Sequence, residues 1–463
     1  MMMRTLLLSL LFACLFFTSC TQKQQGEAET SVPLREKPNI VILFCDDMGY
    51  GDLGVYGHPT IKTPNLDRMA GEGMRFTQFY SGSPACSASR YSLLTGRYPI
   101  RSGFGWVLYP DGPKGMHPEE YTLAEGLKDA GYKTGMFGKW HLGNLHEYLP
   151  VQHGFDEYLG LPYSNDMIPP KFPDIALFQN NDTLELNPDQ TKLTKMYTER
   201  AVNFIKGNKK DPFFLYLPYA MPHVPLMPGK DFQGKSMRGK YGDVVEEIDW
   251  SVGQILETLQ QEGLAENTLV FFTSDNGPWI IKDIEGGSAG LFRDGKGSTW
   301  EGGMREPAIA WWPGTIKKGS VCAEVASTLD LYVSALQLAK QEIPTDRAVD
   351  GKSIVSLLKQ SGEASVEQPY FYYGMNNYLY AVRKGAWKLH IHTYSQTGKQ
   401  YFEGKLPLLF NIEEDPSEKY DLSEQYPEKI AELQKEIDAH EQKLESESSF
   451  FAKAENTGEQ TKE

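Results

Sequence analysis

The chain has 463 residues, 40% of them hydrophobic, so it can bury a large core and exceeds the usual single-domain size; one large and one smaller domain are expected. With 46 Lys and Arg against 61 Asp and Glu, the formal net charge is −15. That excludes a general nucleic-acid binder, which needs clustered positive charge to displace phosphate counterions, and any anion site must be a local positive pocket.

Met1-Met-Met-Arg4, the apolar run Leu6 to Phe17 and Thr18-Ser19-Cys20 have the charged start, short apolar core and small-residue end of a secretory signal over residues 1–20. The run is too short to span a bilayer comfortably. Cys20, followed by Thr-Gln-Lys-Gln-Gln-Gly, resembles the end of a bacterial lipobox, with Phe17 where an aliphatic residue is usual. The expectation is a lipid anchor at Cys20 on an exported protein, in the periplasm or outer membrane of a Gram-negative bacterium. Ordinary signal cleavage nearby is the alternative. Residues 21–36 are polar and charged and read as a flexible tether. Beyond them only Cys45, Cys86 and Cys322 remain, too sparse for a disulfide framework. Cys45 and Cys322 lie among apolar residues and read as buried hydrophobes, whereas Cys86 sits in a polar, small-residue setting.

Over 37–345, short β-branched or aromatic runs alternate with helix-like stretches such as Leu123 to Ala130 and Tyr241 to Glu262. This is the pattern of an α/β sheet with buried parallel strands, whose ligands bind beyond the carboxyl ends. The run Asn39 to Phe44 gives way to Cys45-Asp46-Asp47-Met-Gly-Tyr-Gly-Asp52. Two adjacent carboxylates repel unless something positive lies between them, although an Asp-Asp alone more often caps a helix or turn. Residues 81–97 come next, Ser-Gly-Ser-Pro-Ala-Cys86-Ser-Ala-Ser-Arg90-Tyr-Ser-Leu-Leu-Thr-Gly-Arg97. The run Lys133 to Gly138 leads into Lys139-Trp140-His141; two residues apart in extended chain, Lys139 and His141 can face one pocket. After Phe213 to Leu217, prolines flank His223. A lone histidine is more often structural, but two after separate strand-like runs are harder to dismiss.

Thr268 to Thr273 ends in Ser274-Asp275-Asn276-Gly277, the same kind of ending as Asp46-Asp47. Carboxylates with an amide carbonyl are hard oxygen ligands, suited to Ca²⁺ ahead of Mg²⁺, where zinc would show His or Cys. A calcium-type site of Asp46, Asp47, Asp275 and Asn276 is expected. In Gly295-Lys296-Gly297 the glycines allow close approach of a ligand, although such a loop is usually a solvated turn and lacks P-loop spacing. After Thr345 the texture changes, with dense Tyr and Phe over Gln368 to Tyr380. A smaller, mostly antiparallel domain at 346–463 is expected, closed by an amphipathic helix from Pro427 to about Glu445.

Five blocks, Asp46 to Asp52, Cys86 to Arg97, Gly138-Lys139-Trp-His141-Leu-Gly, Ser274-Asp275-Asn276-Gly and Gly295-Lys296-Gly-Ser-Thr-Trp-Glu-Gly-Gly, together resemble the type I sulfatases. The likeness is to their arylsulfatase A and N-acetylgalactosamine-6-sulfatase branch and covers residues 38 to about 315. It implies an alkaline-phosphatase-like sandwich, with a large mixed, mostly parallel sheet flanked by helices and a smaller antiparallel sheet behind. It also implies that a maturase oxidises Cys86 to formylglycine (3-oxoalanine), whose hydrate attacks sulfur, and that the converted residue joins the four metal ligands. Arg90 would then stabilise the diol, Lys139 and Lys296 would hold the sulfate, and His223, with Lys296, would protonate the leaving oxygen. His141 is read as the base that frees sulfate. Ser164 matches a sulfate-contacting serine, and His390 is a candidate substrate contact, weighed equally against a strand-surface histidine.

Ala88 stands where proline is commoner, which leaves open which maturase acts. The implied partner is a sulfated small molecule or saccharide, from glycosaminoglycans or algal polysaccharides, met through loops 105–117, 165–182 and 395–406. Two other readings stand beside this one: a phosphoesterase of the same superfamily, against which the Cys86 signature argues, and a non-catalytic lipoprotein that binds sulfated glycans.

Overall fold

The structure is a computed structural model and describes residues 36–110, 112–360 and 367–446. The signal, Cys20 and residues 21–35 of the tether lie outside the described residues. Strands are numbered in chain order: β1 (Asn39–Cys45), β2 (Met74–Tyr80), β3 (Lys133–Phe137), β4 (Glu157–Gly160), β5 (Ala176–Gln179), β6 (Asp182–Leu186), β7 (Phe213–Pro218), β8 (Thr268–Ser274), β9 (Arg305–Trp311), β10 (Ser320–Cys322), β11 (Ala326–Ser327), β12 (Tyr370–Tyr373), β13 (Leu379–Lys384), β14 (Trp387–His390) and β15 (Leu408–Asn411).

All seven residues of β1 are buried. Ile40, Ile42 and Phe44 join one core cluster, while Val41, Leu43 and Cys45 join another. Alternation sends successive side chains to opposite faces, so a strand covered on both sides reads as one unbroken apolar run. The helices Leu193–Gly207 and Lys240–Gln261 cover the second face with Tyr197, Phe204, Val244, Ile248 and Leu256. Cys86–Thr95, Leu123–Asp129 and Thr328–Leu338 cover the first with Tyr91, Leu94, Leu127 and Leu336. Each such side chain contributes roughly 1.5–3 kcal/mol by leaving water.

The large sheet runs β10-β2-β9-β8-β1-β7-β3-β4-β5-β6, with β11 also paired to β2. β1 is parallel to β7 and β8, with Phe44 opposite Pro218 and Cys45 opposite Ser274, and β3 is parallel to β7. The residues just beyond the carboxyl ends of β1, β3, β7 and β8 therefore meet at one edge of the sheet.

The sheet is mixed and mostly parallel at its centre, as the resemblance implies; β9 is antiparallel to both β8 and β2, and β5 is antiparallel to β4 and β6. Residues 275–304 stay at the carboxyl edge to build the site. The chain thus re-enters the sheet from the edge at which it left, and a strand entered that way must run backwards.

The second sheet, β12-β13-β14-β15, is antiparallel throughout and packs against the helix Pro427–Ser446 through Leu433 and Ile437. Buried charge joins it to the large sheet. Lys388 Nζ lies 2.9 Å from Glu301 and 3.0 Å from Glu418, and the Glu418 carboxylate accepts the Glu301 N–H at 2.7 Å.

Candidate active site

At the end of β1 the chain turns sharply, and Asp47 adopts a left-handed φ of 66°. That conformation is costly for a non-glycine residue, and such residues gather where a side chain must be aimed. Cys86 opens the fully buried helix Cys86–Thr95, and Arg90, one turn on, shares its face. Cys86 Sγ lies 3.3 Å from Asp46 Oδ1 and 3.8 Å from Asp47 Oδ1. From the end of β8, Asp275 Oδ1 accepts the Asp47 N–H at 3.1 Å. One ligating atom from each of Asp46, Asp47, Cys86 and Asp275 falls within 4.8 Å of the others, all buried.

Asn276 Nδ2 donates to Asp47 Oδ1 at 2.7 Å and to the Gly277 carbonyl at 2.9 Å. Its Oδ1 is buried with no hydrogen-bond partner among the described residues. A buried orphan acceptor costs about 1–3 kcal/mol. An unpaired amide oxygen next in sequence to Asp275 and three clustered carboxylates are hard oxygen donors, so these residues fit a hard divalent cation.

Three cationic side chains enclose the cluster. Arg90 donates from Nε and Nη2 to Asp275 Oδ2 at 3.1 and 2.8 Å, and from Nη1 to the Lys139 carbonyl. Lys139 Nζ lies 2.5 Å from Asp46 Oδ2 and 3.2 Å from Ser164 Oγ. Lys296 Nζ reaches Asp47 Oδ2 at 2.7 Å and Cys86 Sγ at 3.5 Å. Burial opposes the charge on Asp46, but Lys139, His223, Arg90 and Lys296 outweigh it and hold its carboxyl well below the usual range. Asp275 goes the other way, pushed up by burial and then by Asp46. Burial raises the Cys86 thiol well above its ordinary value, against Lys139 and Lys296. That is the reverse of the lowered value that marks a nucleophilic cysteine.

The two histidines flank this core. His223 Nε2 lies 3.6 Å from Asp47 Oδ2, and Nδ1 lies 2.5 Å from the Val224 carbonyl. His141, also at a left-handed φ of 60°, has Nε2 3.1 Å from the Leu108 carbonyl. Burial lowers both rings below the ordinary histidine value, helped by Lys296 at His223 and by Lys139 and Arg90 at His141.

Of the residues expected at the site, Asp46, Asp47, Cys86, Arg90, Lys139, Ser164, His223, Asp275, Asn276 and Lys296 interlock directly. His141 borders them two residues beyond Lys139. His390, the candidate substrate contact, makes no hydrogen bond or ion pair to these residues and is buried in the second sheet instead. It is fully buried, with Nε2 2.7 Å from Glu418 Oε1 and its ring 4.4 Å from that of Trp300. Trp279 is an addition: its ring lies 5.2 Å from that of His223 and 4.6 Å below Lys296 Nζ. The turn Gly277-Pro278 straight after Asn276 is the one sequence signal that points to it.

A family model described as "Sulfatase" matches residues 38–341, and one for the C-terminal region of aryl-sulfatase matches residues 365–462. The chain is 41% identical to N-acetylgalactosamine-6-sulfatase of Rattus norvegicus, with 88% of this chain and 86% of that protein covered. It is 40% identical to arylsulfatase A of Homo sapiens, with 83% of each covered. Among solved structures, PsFucS1 sulfatase from Pseudoalteromonas sp. is similar with a TM-score of 0.81 and 28% identity, over 89% of this chain and 91% of that one.

Proposed function

The chain belongs to the sulfatase family and is an arylsulfatase-like sulfuric ester hydrolase, and from that premise we propose that it desulfates a carbohydrate, and aryl sulfates too, using formylglycine made from Cys86 and a bound Ca²⁺. The observation that carries this reading is the meeting of Cys86 with three carboxylates, an orphan amide oxygen and three cations in one buried cluster.

Asp46, Asp47, Asp275, Asn276 and the converted Cys86 would hold the cation, which would supply Lewis acidity, and the converted Cys86 would supply the nucleophilic hydroxyl and a second hydroxyl open to deprotonation. The side chains do the rest. Arg90 steadies the converted residue from one turn along its helix. Lys139, backed by Ser164, and Lys296 hold the sulfonyl oxygens where negative charge grows, an arrangement most effective in a water-excluded pocket. His223, with Lys296 beside it, gives a proton to the departing alcohol oxygen, and His141 takes one at Nδ1. Three carboxylates against three cations leave the side chains near balance, so a divalent cation makes the pocket positive enough for a sulfate monoanion.

Export and a lipid anchor at Cys20 belong to the same proposal, supported by the signal-like leader; Cys20→Ser should release the protein from the membrane fraction. The function is tested by turnover of aryl sulfate and aryl phosphate by protein co-produced with a formylglycine-generating maturase. Sulfate turnover that Cys86→Ala lowers by about 10³-fold or more supports the reading. A preference for phosphate contradicts it and favours the phosphoesterase alternative.

A further inference from the structure

Ser87 is the second residue of the Cys86 string, and it takes no part in the steps assigned to the catalytic side chains. It is fully buried on the helix Cys86–Thr95, and its Oγ accepts the Leu108 N–H at 3.0 Å. The Leu108 carbonyl in turn meets His141 Nε2 at 3.1 Å. A carbonyl only accepts, so Nε2 carries the hydrogen, and a neutral ring then leaves Nδ1 as a bare lone pair. That Nδ1 is buried and has no partner among the described residues. A structural histidine would be expected to satisfy it, whereas a base needs it free. Leu108 lies in the stretch between the short helix Pro99–Arg101 and the helix Leu123–Asp129, where the described residues form no strand or helix. Its side chain packs against the core, and the bond to Ser87 fixes its peptide N–H.

We propose that Ser87 is a positioning residue that clamps the Leu108 peptide and thereby holds His141 as the Nε2–H tautomer, with Nδ1 left as a free proton acceptor. When Nδ1 takes the proton, its lone pair becomes an N–H, and the Nε2–H stays on the Leu108 carbonyl, so the ring is held through both protonation states. The proposal rests on the reading of His141 as the base.

The test compares wild type, Ser87→Ala, Ser87→Thr and His141→Ala, all produced with a maturase. Because Ser87 adjoins Cys86, turnover is expressed per converted site, counted from the mass of the residue 81–97 peptide. Ser87→Ala should lower kcat about tenfold and move KM less than about twofold, while Ser87→Thr, which keeps the oxygen, recovers most of the rate. Independently of turnover, ¹⁵N spectra of histidine-labelled protein, with His141 assigned by its loss in His141→Ala, should show one Nε2–H tautomer in wild type and Ser87→Thr and a mixture in Ser87→Ala. Should Ser87→Ala fail to fold, Ser87→Cys, a weak acceptor of similar size, carries the same comparison. An unchanged kcat with an unchanged tautomer in the Ala or Cys variant overturns the proposal. Full turnover by His141→Ala overturns the base assignment itself, and is thereby distinguished from a failure at Ser87.

Discussion

Asn276 keeps a buried amide oxygen without a donor among the described residues, next in sequence to Asp275 of the carboxylate cluster. Asn276→Ala should therefore weaken calcium retention about tenfold or more, read by chelator competition with metal analysis; unaltered retention would remove it from the ligand set. As the proposed base, His141 would set the acid limb of the reaction. Burial, with Lys139 and Arg90, holds the ring well below its ordinary value. The deprotonated form is the base, so it persists as pH falls through about 6.5, the ordinary histidine value, and is lost only further down. The kcat profile should accordingly show no loss of rate at that point, and a limb at the ordinary value would show that the ring is not buried during turnover. The lysines act through charge: Lys139→Ala should lower kcat/KM by about 10²–10³-fold against aryl sulfate, the usual loss for one preorganised donor.

At the scale of elements, the loop bearing Lys296 is held from behind by the second sheet. Lys388 bridges Glu301 and Glu418, His390 packs its ring on Trp300, and all of these groups are buried. Breaking a buried ion pair strands its partner, so Glu418→Ala should cost roughly 3–5 kcal/mol, read as a fall in the denaturant midpoint. An unchanged midpoint would mean that the network is not what joins the sheets. The same elements show where the sequence is legible. The apolar runs of β1, β7 and β8 announce themselves by composition, and the polar residues just beyond them, with those after β3, form the candidate site. An apolar run carries no direction, so the reversal at β9 leaves no mark in the sequence. The buried contact of His390 is hidden because its partner Glu418 is 28 residues away. The Leu108 contact of His141 lies in a stretch with no period to read.

For the whole molecule, a chain of net charge −15 builds a buried centre around Arg90, Lys139 and Lys296 and pairs it with three carboxylates, the proposed cation ligands. Calcium should stabilise the fold in proportion to ln(1 + [Ca²⁺]/Kd), about 2.7 kcal/mol at a hundred times Kd, visible as a rise in Tm that chelator reverses. A Tm indifferent to calcium would place the ion elsewhere. The central claim is that Cys86 works as an aldehyde, and the mass of the residue 81–97 peptide from catalytically active protein tests it most directly. The expected peptide has lost its sulfur and gained a carbonyl, in a fraction that rises in step with aryl sulfate turnover across preparations. Full turnover by protein whose Cys86 remains an unmodified thiol would contradict the claim.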